Sequence, residues 1–289
     1  MGRANRQRAF IIDIILLSFI FRKGVLEERR FASCVMDTHS AMMPSLSEQT
    51  LEDIEGLDPA QFGFDREECC GPSSLNMPSN MVLAERLFLA SEVPAAHWGP
   101  KLENVPEYNV LSERLKTAGK IPLAVFHCPV ADACILRFLY EAPLKSVAIT
   151  QYSCFESGEL PWECSGVLSC DKSNEAFIFV CAHRLRDSRC GYCGAVLVDL
   201  FRQSIRTKKG DGAPIHVYPC SHVGGHAHAG NVLVYTKKGG VCFGCFRPAD
   251  VDTLVDSLLK GNGEIPQTLR MRVRGMVGFE EGLSGCSMM

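Results

Sequence analysis

Two short runs of strand-forming residues, AFIFVCAH (176–183) and IHVYPCSH (215–222), enclose an amphipathic helix pattern at 193–205. Two further strand-like runs follow at 231–236 and 239–246, with a turn between them. Pro248 then opens a second helix that has one apolar face and ends at Gly261. This β-α-β-β-α order predicts a sheet with helices packed against it.

The first half of the chain also alternates helical and strand patterns, although less regularly. Apolar residues recur at helical spacing in MVLAERLFLA and NVLSERLKTAG, while IPLAVFHC has the composition of a buried strand. We therefore predict an α/β fold class, and the order in the second half is that of a thioredoxin-like half-fold. The predicted first-half helices are 81–90, 109–119 and 132–142, and the predicted strands are 121–128 and 146–152.

The two ends of the chain differ from its middle. A basic opening and the apolar run 9–21 make residues 1–35 a possible mitochondrial-type presequence, a weak anchor, or an extension upstream of a start at Met36. The thirteen residues of that run are too few to span a bilayer as a helix. We predict a linker at 36–79 and leave the tail 266–289 unassigned.

Composition narrows the range of partners and compartments. The formal net charge of −3 and the absence of a cluster of basic residues exclude a nucleic-acid surface, and no segment reaches transmembrane length. Fifteen cysteines are an odd number without the regular spacing of a secreted disulfide scaffold. A cytoplasmic or mitochondrial location, with some cysteines on a metal, fits better.

Thiols and imidazoles cluster in the loops that follow two of the predicted strands. In the first loop, Cys181 and Cys190 flank several basic residues, whose charge favours the thiolate that a metal requires. In the second loop, His222 and His226 bracket a Val-Gly-Gly turn, which lets both rings face one point. Sites of α/β proteins lie at such strand ends.

Three chemistries are compatible with these loops. The first is a zinc site formed by Cys190, Cys193, His222 and His226, because C-x2-C and H-x3-H are familiar zinc spacings. The second is a thiol–disulfide oxidoreductase that uses Cys190 and Cys193 at a helix start. The third is a [2Fe–2S] cluster bound by two cysteines and two histidines. Spacing alone does not choose among them.

Several stretches resemble the sucrase/ferredoxin-like proteins, also called thioredoxin-like ferredoxins. They are FVCAHRLRDSRCGYCG, CSHVGGHAHAGNVLVY, FGCFRPADV and, more loosely, MRVRGMVG. The resemblance implies a [2Fe–2S] cluster held by Cys181, Cys190, His222 and His226. It also implies a thioredoxin-like ferredoxin domain at 166–265, preceded by a degenerate thioredoxin-like domain without a cluster at 80–165.

The resemblance also suggests roles for neighbouring residues. Cys193, Cys220 and His228 are close enough in sequence to support the ligands or to replace them. The arginines of the first loop would tune the potential or dock a redox partner protein; they are Arg184, Arg186 and Arg189. A second C-x-x-C, at Cys242 and Cys245, departs from the family pattern, and we expect these two thiols to be structural and to point apart on a strand.

The sequence therefore favours an electron carrier over an enzyme. Two neutral imidazoles in place of two thiolates would raise the reduction potential, as in Rieske centres. Each imidazole would also keep an ionisable N–H, so reduction would be coupled to proton uptake. The competing functions are the dithiol enzyme and a zinc-stabilised interaction module. No pair of carboxylates suited to glycoside hydrolysis stands out in the sequence.

Overall fold

A computed structural model of the chain describes residues 46–58, 81, 83–129, 134–153, 159–225, 228–261 and 264–279. The possible presequence and His226 lie outside the described residues. The helices are α1 Leu46–Ile54, α2 Pro106–Thr117, α3 Ser188–Lys209 and α4 Val251–Lys260. The strands are β1 Glu85–Ser91, β2 Leu123–His127, β3 Cys134–Glu141, β4 Ser146–Ser153, β5 Ser169–Asp171, β6 Ala176–Cys181, β7 Ile215–Cys220, β8 Val232–Thr236, β9 Gly239–Phe243 and β10 Val273–Val277.

The strands form one sheet in the order β10-β9-β8-β6-β7-β2-β1-β3-β4-β5. In the second half, β6 pairs parallel with β7 and antiparallel with β8, and β8 pairs antiparallel with β9. Helix α3 connects β6 to β7, and α4 follows β9. This is the thioredoxin-like arrangement, so the predicted α/β fold class is confirmed.

The first half repeats this topology. Strand β1 pairs parallel with β2 and antiparallel with β3, which pairs antiparallel with β4, and α2 connects β1 to β2. The helix that would follow the fourth strand is replaced by β5, which extends the edge of the sheet. This half is therefore the degenerate thioredoxin-like unit that the sequence predicted. The boundary at 165 and 166 stays a prediction.

The two halves fold back on each other around the junction of β2 and β7, which are bridged only between Phe126 and Cys220 in the described residues. Phe88 of β1 stacks on Phe179 of β6 with ring centroids 3.7 Å apart, although two strands separate β1 from β6 in the sheet. Such a contact requires the half-sheets to pack face to face. An aromatic core therefore lies between the two half-sheets, and the helices cover the outer faces.

Two predicted helices are wrong. The segments 81–90 and 132–142 contain strands β1 and β3, whereas the predicted helix at 109–119 and the strands at 121–128 and 146–152 are confirmed. Both faces of β1 are buried, one by α2 and one by the aromatic core, so the strand lacks a polar alternation. The structure also contains two elements that the sequence did not predict. Helix α1 lies within the predicted linker, and strand β10 lies within the unassigned tail.

Within the described residues, no helix combines the length and the apolar character that crossing a bilayer requires.

Candidate metal centre

Strand β6 and helix α3 bring two cysteines together. Cys181 is the last residue of β6, and Cys190 lies in the first turn of α3, whose N-cap Asp187 accepts a hydrogen bond from the backbone N–H of Arg189 at 3.0 Å. The ligand atoms of Cys181, Cys190 and His222 all lie within 4.8 Å of one another. Both thiols are fully buried, while His222 is half-buried.

Two glycines allow α3 to begin directly against the end of β6. A Cβ at Gly194 would lie 2.3 Å from the carbonyl oxygen of Cys181, and one at Gly191 would lie 2.8 Å from the Cα of Arg184. Neither clash can be relieved by rotating a side chain, because the opposing atoms belong to the backbone. The glycines of the RCGYCG segment therefore set the short separation between Cys190 and Cys181.

The second loop is shaped by glycine and held by two polar residues. Gly224 and Gly225 have φ of +94° and +70°, a conformation that favours glycine. Arg274 of β10 donates to the Gly224 carbonyl at 3.2 Å and to the side-chain oxygen of Asn231 at 2.6 Å. Asn231 in turn donates to the Gly225 carbonyl at 3.2 Å. The loop after His222 is thus fixed to the edge of the sheet.

His183 links this site to the first half of the chain. Its Nε2 donates to the carbonyl of Gly99 at 2.9 Å, and its Nδ1 accepts the backbone N–H of His222 at 3.4 Å. The ring is 2% exposed and meets the edge of Trp98. Burial lowers the pKa of His183, which agrees with a neutral ring that donates from one nitrogen and accepts at the other. The sequence presented this residue only as one of several basic groups.

The pKa values of the two thiols are shifted in opposite directions. A hydrogen bond from Cys190 lowers the pKa of Cys181 well below its usual value, and interactions with His222 and the backbone N–H of His183 act in the same direction. That hydrogen bond and burial raise the pKa of Cys190. The lowered pKa of Cys181 favours its thiolate, the form that binds metals.

The remaining predicted residues are arranged around this group. Cys193 is buried one turn further along α3, and Cys220 is the partner of Cys181 in the β6–β7 register. His228 is half-buried and follows the loop that contains Gly224 and Gly225. Its backbone N–H donates to the Gly225 carbonyl. None of these three joins the metal-binding group found among the described residues. They stay predictions as supporting or alternative ligands.

The two cysteines of the second C-x-x-C have different backbone conformations. Cys242 lies within β9 and is fully buried, which raises its pKa to about 11. Cys245 follows the end of the strand in a left-handed conformation with φ of +49°, so the expectation that both lie on one strand is wrong. Arg272 donates to the Cys245 carbonyl and forms an ion pair with Asp250. The segment is thereby held against the start of α4.

The family model described as sucrase/ferredoxin-like matches residues 46–272, which is most of the chain. The chain belongs to the sucrase/ferredoxin-like family. The match spans strands β1 to β9, the candidate ligands and the start of the tail.

Curated relatives match a shorter part of the chain. It is 38% identical over 100 residues to altered inheritance of mitochondria protein 32 of Debaryomyces hansenii, covering 33% of this chain and 35% of that protein. It is 30% identical over 95 residues to actin patches distal protein 1 of Saccharomyces cerevisiae, covering 29% of each. The chain thus spans about a third of the length of these relatives.

Among solved structures, the chain is similar to a thioredoxin-like [2Fe–2S] ferredoxin from Aquifex aeolicus. The two are 25% identical with a TM-score of 0.30, and the similarity covers 38% of this chain and 98% of that one.

The donor set of this sucrase/ferredoxin-like chain fits a soft or borderline metal. Two buried thiols and one imidazole are ligands for iron–sulfur clusters and for zinc, and the group contains no carboxylate, which calcium or magnesium would require. A fourth ligand is needed, and the H-x3-H spacing offers His226. The zinc alternative that replaces Cys181 by Cys193 is less well supported, because the group includes Cys181.

The three arginines of the first loop have different surroundings. Arg184 donates to the carbonyls of Asp53 and Glu55 at the end of α1, at 2.9 and 3.5 Å. Arg189 is paired with Asp187 through two hydrogen bonds of 3.0 and 2.8 Å. Arg186 is exposed beside Leu185, whose side chain is 55% exposed. Of the three, Arg186 is the best placed to meet another protein.

We expect His183→Leu to lower the metal content by more than the accompanying loss of folding stability would explain. The change removes the partner of the Gly99 carbonyl and of the His222 N–H, two part-buried groups, at a cost of about 1 kcal/mol for each hydrogen bond. It also frees the His222 backbone. Metal per chain after dialysis, measured beside the free energy of unfolding, tests this.

The matched control is His216→Leu in β7, where the ring stacks on Phe177 and bonds Glu175 away from the metal centre. This variant should lose stability but keep its metal. Equal metal retention in the two variants would show that His183 is only a packing residue.

Proposed function

We propose that the protein is a one-electron carrier that binds a [2Fe–2S] cluster through Cys181, Cys190, His222 and His226. The observation that carries the proposal is the group of two buried thiols and one imidazole, with ligand atoms within 4.8 Å, in a sucrase/ferredoxin-like chain. When bound, such a cluster accepts and releases single electrons, at a potential that imidazole ligation raises as in Rieske centres.

One side of the proposed site is buried from water, and the other side is partly exposed to it. Cys181 and Cys190 are fully buried and exclude water, whereas His222 is half-buried. The histidine side is therefore the expected route for electrons, and an unidentified redox partner protein would dock there. The exposed Arg186 and Leu185 offer a charge and an apolar contact for such docking.

The dithiol-enzyme alternative is weakened by the environment of Cys190. A nucleophilic thiol needs access and a lowered pKa, but Cys190 is fully buried and its pKa is raised by the hydrogen bond with Cys181 and by burial. We therefore favour a carrier without a catalytic dithiol over an enzyme.

Metal and sulfide analysis tests the proposal. Protein reconstituted without oxygen should be coloured and contain about two irons and two sulfides per chain. A colourless protein that holds stoichiometric zinc after the same treatment would instead support the zinc-stabilised interaction module.

We also expect the reduction potential to fall as the pH rises. When one nitrogen of His222 binds iron, the other still carries a proton, which the ring holds more tightly once an electron has been added. The slope should approach about 59 mV per pH unit where one proton accompanies each electron. Protein-film voltammetry from acidic to alkaline pH measures it. A constant potential in protein shown to contain the cluster would exclude histidine ligation.

The compartment is part of the proposal. The absence of a secreted disulfide pattern supports a reducing environment, and the names of several relatives refer to inheritance of mitochondria. We propose a mitochondrial or cytoplasmic location, which localisation of the full chain with and without residues 1–35 would test.

A further inference from the structure

A cavity of about 130 Å³ lies beside the metal centre, where the two halves of the sheet meet. The ends of β2 and β7, the start of α3 and the loop after β6 form its walls, and α1 covers it. The cavity is larger than a single water molecule requires. Much of its lining is apolar and comes from alanine, proline and valine; these residues are Pro94, Ala95, Ala96, Ala182, Ala195 and Val198.

Two guanidinium groups, Arg184 and Arg202, line this cavity, and neither forms an ion pair among the described residues. The guanidinium of Arg202 donates from Nε and one Nη to the Val217 carbonyl at 3.1 and 2.7 Å, and these bonds bring no negative charge. Burial lowers the pKa of Arg202, because removal from water disfavours the charged guanidinium. Neither Asp199 on the same helix nor Asp53 in the cavity lining forms an ion pair with Arg202 in the described part of the chain.

Other polar residues line the same cavity; they are Arg184, His127, Tyr218 and, from α1, Gln49, Thr50 and Asp53. Tyr218 lies within β7, and His127 is the last residue of β2. Burial and the charge of Arg202 lower the pKa of His127, so the ring is neutral at physiological pH and adds a hydrogen-bonding group rather than a second charge. The lining thus combines a hydroxyl, an imidazole and two guanidinium groups with an apolar wall of alanine, proline and valine.

We propose that this cavity binds a small aliphatic monocarboxylate, with its carboxylate on Arg202, His127 and Tyr218 and its alkyl part against the alanine and proline wall. A planar carboxylate matches the donors of a guanidinium, and a short alkyl chain suits the apolar side. The proposal does not depend on which metal the neighbouring site holds.

The cavity is positioned to affect the metal centre. Ala182 and Gly191, two of its lining residues, directly follow Cys181 and Cys190. Arg184, also in the lining, ties α1 to this loop through the Asp53 carbonyl at 2.9 Å. A bound carboxylate would therefore contact the backbone that carries both thiols.

Calorimetry on the metal-loaded full chain tests the site, with sodium propionate as the probe and sodium chloride at the same ionic strength as the reference. We expect saturable binding of one propionate per chain. Arg202→Met should weaken it at least tenfold, and Ala195→Leu should weaken it similarly by filling the cavity while the guanidinium stays in place. Arg206→Met is the control, because Arg206 lies one turn further along α3 and is exposed.

Several outcomes would overturn the proposal. They are the absence of saturable propionate binding, binding that survives both Arg202→Met and Ala195→Leu, and saturable binding of sulfate or phosphate without any of propionate. If Arg202→Met does not fold, Ala195→Leu still decides, since it retains every hydrogen bond of Arg202.

Discussion

Cys181→Ser is expected to yield protein without a cluster, whereas Cys193→Ser should retain it. The Cys181 sulfur is close to the ligand atoms of Cys190 and His222, and its lowered pKa favours the thiolate, which a serine hydroxyl cannot replace at neutral pH. Cys193 is buried one turn away and lies outside that group. The iron content should fall from about two per chain to near zero in the first variant only.

Cys242→Ser is the matched control, because Cys242 is equally buried but lies in β9. Absorption spectra and iron, sulfide and zinc analyses of all three variants, reconstituted side by side, distinguish the alternatives. Loss of metal from Cys193→Ser with full retention in Cys181→Ser would contradict the proposed ligands. It would favour the zinc set that contains Cys190 and Cys193.

The first half of the chain supports a site to which it contributes no candidate ligand. The Gly99 carbonyl accepts from His183, which in turn accepts from the backbone of His222. The backbone N–H of Ser221 donates to Val125 of β2 at 2.7 Å, and the Ser221 hydroxyl accepts from Val125 at 2.9 Å. The degenerate unit therefore acts as a scaffold that fixes the position of the histidine loop.

The second half was predictable from sequence because each element has its own local signal. Strands β6 and β7 are short apolar runs that pair in parallel, so the loops that follow them lie at the same edge of the sheet. The cysteine and histidine loops were expected to meet for that reason, and the structure brings Cys181, Cys190 and His222 together. The position of His226 stays a prediction.

The first half was harder to predict, because two of its strands have the sequence pattern of helices. Glu85 and Arg137 suggest the polar face of a helix, but they form an ion pair of 2.6 Å across the neighbouring strands β1 and β3. Each charge is satisfied by a residue about fifty positions away, which no local pattern can show. The same applies to Arg274, whose role in holding the glycine loop depends on β10 joining the sheet edge beside β9.

Gly194→Ala is expected to disrupt the metal centre although no ligand is changed. The added Cβ would lie 2.3 Å from the Cys181 carbonyl oxygen and 2.7 Å from the Ala182 Cα, so α3 must move away from the end of β6. That movement separates Cys190 from Cys181. Overpacking of this kind costs about 1–3 kcal/mol, which exceeds the gain of about 1 kcal/mol that alanine offers over glycine in a helix.

Gly212→Ala provides the control for that substitution, because a Cβ at Gly212 meets nothing within 4 Å. The free energy of unfolding and the metal content per chain should both fall in Gly194→Ala and stay unchanged in Gly212→Ala. The metal content is the more informative of the two, since a helix displaced from the strand end can remain folded after its ligands have parted. A Gly194→Ala protein with full metal content would mean that the separation of the thiols does not depend on the close approach of α3 to β6.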